Sequence, residues 1–96
     1  MSSSALVFPE DFDDYGWEVE AKGWFEGAIL SASGKRYRLH FFGPGRLRQE
    51  IEDELRERGV FFEPNLVVVS SVTRANMERA AEFLTQSGQI DSLIAE

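Results

Sequence analysis

Apolar and polar residues alternate along two short stretches of this chain and recur every three or four positions along two longer ones. From Trp17 to Lys22, the side chains Trp17, Val19 and Ala21 fall on one side and Glu18, Glu20 and Lys22 on the other. Such a period of two predicts a half-buried strand. Gly23 then reads as a bulge or bend, with extended character resuming through WFEGAILS. Ser33-Gly34 predicts a tight turn, and Arg36–Phe42 alternates again, Tyr37, Leu39 and Phe41 opposing Arg36, Arg38 and His40. Together they predict a β-hairpin. Upstream, Ala5–Phe8 suits a short edge strand ended by Pro9, and PEDFDDYG suits a loop.

Past Gly43-Pro44-Gly45 the period lengthens. Leu47, Ile51 and Leu55 recur every fourth residue among charged neighbours, which predicts an amphipathic helix closed by Gly59. Glu52–Arg56 and Glu54–Arg58 are spaced as i,i+4 ion pairs. FFEPN turns the chain, and LVVVSSV (66–72) is the most apolar strand candidate. Thr73 is a good N-cap for a second helix carrying Met77, Ala80, Ala81 and Leu84, ended by Gly88. The tail QIDSLIAE keeps Ile90, Leu93 and Ile94 at helical spacing, enough for one turn docked on the core or on a partner.

A helix between Phe42 and Leu66 reverses the chain, so strand 66–72 should run parallel to strand 36–42, with a right-handed crossover. The predicted architecture is α+β, a two-layer sandwich in β-hairpin–α–β–α order, with a small mixed sheet covered on one face by two helices. The 96 residues fit one domain, with residues 1–4 frayed at its edge.

Charge changes this picture more than overall composition does. The net charge is −7, but residues 1–34 hold seven acids and one base, 35–48 five bases and no acid, and 49–96 ten acids and four bases. The successive sums −6, +5 and −6 leave one basic island, KRYRLHFFGPGRLR, between two acidic blocks. The acidic total disfavours nucleic acid and anionic membranes as partners. The N-terminus has neither the basic flank nor the apolar length of a signal peptide or membrane span, so the expected location is cytoplasmic.

The island admits two explanations. Arg36, Arg38 and His40 project from one side of a strand, and Gly-Pro-Gly leads to Arg46 and Arg48 at a helix start, where unpaired amides attract anions. These five residues form a candidate site for a phosphate, a nucleotide or another small anion. The spacing matches neither a P-loop nor a dinucleotide fingerprint. The simpler explanation is a seam in which Arg36 and Arg38 face Glu18, Glu20 or Glu26 on a neighbouring strand.

Other chemistry finds little support. Zero cysteines exclude disulfides and thiolate ligands, and a lone His40 predicts no metal site, no cofactor and no catalytic base. Asp11, Asp13 and Gly16 occupy three calcium-loop places, but Tyr15 and Lys22 stand where ligands are needed. The acids Glu50, Glu52, Asp53 and Glu54 suit a solvated helix face. With no catalytic constellation, an enzyme is not the expectation.

The aromatic content points elsewhere. Trp17, Trp24, Phe25, Tyr37, Phe41, Phe42, Phe61 and Phe62 exceed what one side of a three-strand sheet needs. Part of this set, with the apolar tail, can form a contact surface, and Trp17, Trp24, Phe25, Ile90, Leu93 and Ile94 are its candidate residues. The expectation is a small acidic interaction module that binds a protein partner or a second copy of itself as a homodimer.

Overall fold

The computed structural model describes residues 4–96. The expected fraying of residues 1–3 lies outside that range, and Ser4 already belongs to a strand. The elements in chain order are β1 (Ser4–Val7), α1 (Phe12–Lys22), β2 (Trp24–Phe25), β3 (Ile29–Ala32), β4 (Lys35–Arg38), β5 (His40–Phe42), α2 (Pro44–Arg58), β6 (Leu66–Val68) and α3 (Arg74–Gln86). A single 3-10 turn, Gln89–Ser92, follows. The fold is α+β, and its strands form two three-stranded sheets, β1-β3-β4 and β2-β5-β6.

The largest departure from expectation is residues 17–22, which are the end of α1 and not a strand. Six residues of alternation are too few to outweigh a helical pattern that begins at Phe12. Phe12 and Val19, seven positions apart, are both buried on one face. Asp13 and Asp14 in the first turn and Lys22 in the last complement the helix dipole. Gly23 is the left-handed residue that ends the helix, at φ 80°, with its N–H on the Val19 carbonyl. Trp17 is two positions from Val19, about 200° around the helix, and accordingly faces solvent.

The predicted strand 36–42 is continuous in direction but divided between the sheets at Leu39. β4 pairs antiparallel with β3, joined by Ser33 (φ 52°) and Gly34 (φ 76°), a two-residue turn with both central residues left-handed. β5 pairs antiparallel with β2 and parallel with β6. Leu39 itself is fully buried and donates its N–H to the Ala28 carbonyl at 3.2 Å. The alternation survives the break, since Tyr37, Leu39 and Phe41 all belong to the core.

The parallel β5–α2–β6 crossover is as predicted, but the two helices do not share a face of the sheet. The register aligns Trp24, Phe42 and Val68 in one row and Phe25, Phe41 and Val67 in the next. Leu47 and Ile51 of α2 border Val68, while Ala80 and Leu84 of α3 border Val67 and Val69. So α2 lies over the outer row and α3 over the inner. The inner row, the β1-β3-β4 sheet, α1 and α3 together enclose the core, with Leu30, Leu39, Phe41, Val72 and Met77 at its centre.

Aromatic rings supply much of that core. The Phe12 ring lies 4.8 Å from Phe8, 5.0 Å from Phe25 and 5.6 Å from Tyr15, centroid to centroid. Tilted and edge-on rings at such spacings stabilise beyond area burial alone. α3 is capped as predicted, the Thr73 hydroxyl accepting from the Asn76 N–H at 3.2 Å, and buries Met77 and Ala81. By contrast, no residue of α2 is fully buried.

Candidate functional site

The expected cross-strand pairs of Arg36 and Arg38 with Glu18, Glu20 or Glu26 do not form, although other carboxylates meet part of the basic island. Glu18 and Glu20 lie on α1, and the residues opposite Arg36 and Arg38 on β3 are Ser31 and Ile29. Arg38 instead pairs with Glu96 at 3.1 Å through Nε and donates from Nη1 to the Glu26 carbonyl at 3.2 Å. Arg46 pairs with Glu50 at 3.3 Å, one turn along α2, and its Nε is buried without a partner. His40 Nδ1 is hydrogen-bonded to Glu63 and lies 3.9 Å from a Glu26 carboxylate oxygen. Three of the five candidate anion ligands thus already face carboxylates. Arg36 and Arg48 are exposed, and among the described residues neither has an ion-pair partner.

Glu26, His40 and Glu63 form a cluster that sequence spacing did not reveal. One donor atom from each lies within 4.8 Å of the others. Backbone bonding explains why they meet. The Arg38 guanidinium holds the Glu26 carbonyl, and the His40 N–H donates to the Asn65 carbonyl at 3.0 Å, two residues beyond Glu63. Gly27 lets the chain fold closely over the Phe25 ring, since a Cβ there would lie 2.7 Å from that ring. The three residues are 14 and 23 positions apart and share no motif. Only the pairing of β5 with β2 and β6 brings them together.

The candidate contact residues are distributed unevenly. Phe25 is buried in the core, and Ile90 and Leu93 pack against it from the tail, so these three are committed internally. Trp24 is half-buried, whereas Trp17 and Ile94 are 69% and 62% exposed and so remain open to contact. Half of the eight aromatics singled out above, Phe25, Tyr37, Phe41 and Phe42, are buried.

A different apolar surface emerges at the β6 edge. Among the described residues eight large hydrophobic side chains are exposed, and five of them (Leu55, Val60, Phe62, Val68 and Phe83) fall in the stretch that runs from α2 through α3. β6 is the outermost strand of its sheet. Its Asn65 carbonyl and Val69 N–H are bonded inward to β5, so the period of two turns the peptide groups of Leu66 and Val68 to the free edge. An apolar groove runs along each side of this edge. One is lined by Pro44, Leu47, Ile51 and Val68, with Arg48 and Glu52 at its rim; the other, by Val67, Val69, Ala80, Phe83 and Leu84 among others.

No family model, curated protein or solved structure matches this chain. Among the described residues no helix is long and apolar enough to cross a membrane.

Proposed function

We propose that the protein is an interaction module that self-associates through the β6 edge, two copies meeting about a two-fold axis near Val68. The supporting observation is the combination of an unpaired strand edge with apolar grooves on both of its flanks. An open edge offers unsatisfied N–H and C=O groups that another strand can complete, while flanking pockets accept side chains. In a two-fold pairing the same surface serves both copies, so each β6 meets the other antiparallel.

Charge favours a second copy as the occupant. Arg48 and Glu52 border the groove and, among the described residues, have no intrachain ion pair. Arg56, expected to hold Glu52, pairs with Asp53 at 3.2 Å instead. Antiparallel packing of two α2 helices sets Arg48 of each copy against Glu52 of the other. These reciprocal pairs select the self-complementary arrangement and offset part of the repulsion between two acidic chains. The core of the contact is apolar, from Leu47, Ile51, Val68 and Phe83.

A charge-reversal cycle tests this arrangement. Arg48→Glu and Glu52→Arg each weaken self-association measured by dilution calorimetry, and the double variant recovers it. Additive weakening in the double variant contradicts the proposed pairing.

A further inference from the structure

We propose that Glu26, His40 and Glu63 form a binding site for one divalent first-row transition-metal ion, best matched by Zn2+. The three side chains come from three separate segments: the connection after β2, the first residue of β5, and the loop leading to β6. Their donors are one imidazole nitrogen and two carboxylate oxygens. Imidazole directs a site toward transition metals and away from Mg2+ and Ca2+, which prefer oxygen alone.

Geometry and charge both fit. Ligands held at ~2.1 Å from one ion lie roughly 3–4 Å from each other, depending on the angle between them. The Nδ1–Glu26 separation is 3.9 Å and all three donors lie within 4.8 Å, while Nδ1 and Glu63, in direct hydrogen-bond contact, must part to admit the ion. Among the described residues, neither the Glu26 nor the Glu63 carboxylate is paired with an arginine or lysine. One ring nitrogen, His40 Nδ1, faces both carboxylates, in hydrogen-bond contact with Glu63 and 3.9 Å from Glu26. The two carboxylates therefore converge on one nitrogen. A divalent ion neutralises both charges, taking the Nδ1 lone pair while the ring proton resides on Nε2.

The surroundings suit a site open on one side. The His40 side chain is only 19% exposed and Glu63 27%, whereas Glu26 is 58% exposed and free to turn inward. A pocket of about 220 Å³, lined by Trp24, Phe42, Arg46 and Glu50 together with Glu26 and Glu63, leaves room for further ligands on the ion. The supports are built in: Arg38 fixes the Glu26 backbone, and Asn65 anchors the loop carrying Glu63.

The test is titration of ZnCl2 into the full chain by calorimetry, with Mg2+ as the control ion. The expected result is one saturable site per chain, insensitive to millimolar Mg2+. Glu26→Gln should weaken it at least ~10-fold, as loss of a ligand costs no less than loss of its supporting hydrogen bonds, and His40→Gln and Glu63→Gln should abolish it. Ring-nitrogen NMR of the unaltered chain gives a second readout that needs no variant: Zn2+ should shift Nδ1 of His40 and leave Nε2 protonated. Two results would overturn the proposal. One is no saturable binding at millimolar Zn2+. The other is binding that survives all three substitutions and leaves the His40 ring unmoved, which identifies scattered surface carboxylates as the acceptors.

Discussion

Asn65 and Ile94, 29 positions apart, exchange two hydrogen bonds of 2.8 Å: the Ile94 N–H donates to the Asn65 side-chain oxygen, and Asn65 Nδ2 donates to the Ile94 carbonyl. The same Nδ2 reaches the Arg38 carbonyl at 3.0 Å, and the Asn65 carbonyl accepts from His40. One side chain therefore ties the entrance of β6, the β4–β5 junction and the tail together. The Glu96 N–H completes the docking on the Arg36 carbonyl at 2.7 Å. The tail backbone is thereby docked on its own chain, with the Ile94 side chain left exposed.

Asn65 sits at φ 57°, so its replacement acts through both backbone and side chain. Asn65→Ala is expected to lower stability by about 2–4 kcal/mol, combining unsatisfied polar groups with the left-handed penalty for alanine. Asn65→Gly keeps the conformation and loses only the bonds, so it should cost less. Urea unfolding of the two variants checks the order; equal losses would show that the backbone conformation contributes nothing.

Gly23 links two helices. It ends α1 at φ 80°, its carbonyl accepts from the Gly43 N–H at 2.8 Å at the entry to α2, and a Cβ there would stand 2.9 Å from Arg46 Cβ. Gly23→Ala should cost about 1–2 kcal/mol from the left-handed conformation alone, and more from the contact with Arg46. Thermal unfolding measures it, and a loss below that range would place the strain elsewhere.

Within α3, cap and core are separable. Thr73→Ala removes the acceptor for the Asn76 N–H and should cost about 1 kcal/mol. Met77→Ala empties a site with 0% exposure and should cost about 2–5 kcal/mol. Chemical denaturation of the pair should rank Met77 well above Thr73.

The Tyr15 phenol ionises above its ordinary value of 10.0, first because burial penalises the phenolate and then because Asp11 lies nearby. Above pH ~10 the unfolded chain releases this proton while the folded chain retains it, so stability falls as pH rises through that range. Tyr15→Phe should flatten this part of the stability–pH curve. An unchanged slope would exclude Tyr15 as its source.

The elements most legible in sequence were those defined by local chemistry. Thr73 as a cap, Gly59 as a left-handed helix end and Ser33-Gly34 as a turn depend on neighbours a few residues away, and each stands as predicted. The helix at 12–22 was obscured because alternation at Trp17–Lys22 fits either period over so short a window, while the deciding residue, Phe12, lay in what reads as a loop. The division of strand 36–42 between two sheets depends on Leu39 bonding to Ala28, a tertiary event with no local signature. The same holds for the meeting of Glu26, His40 and Glu63. The island's alternation was readable, but its partners Glu96, Glu63 and Glu50 depend on the fold, apart from Glu50 at helical spacing from Arg46.

The central claim is that the β6 edge joins two copies, and sedimentation equilibrium of the full chain beside Val68→Lys tests it most directly. Val68 is 49% exposed at that edge, so lysine is accommodated in the single chain while setting two like charges near the proposed axis. The expected result is a concentration-dependent dimer for the unaltered chain and a folded monomer, by circular dichroism, for Val68→Lys. A strictly monomeric parent chain up to millimolar concentration, or a Val68→Lys dimer of undiminished affinity, would contradict it.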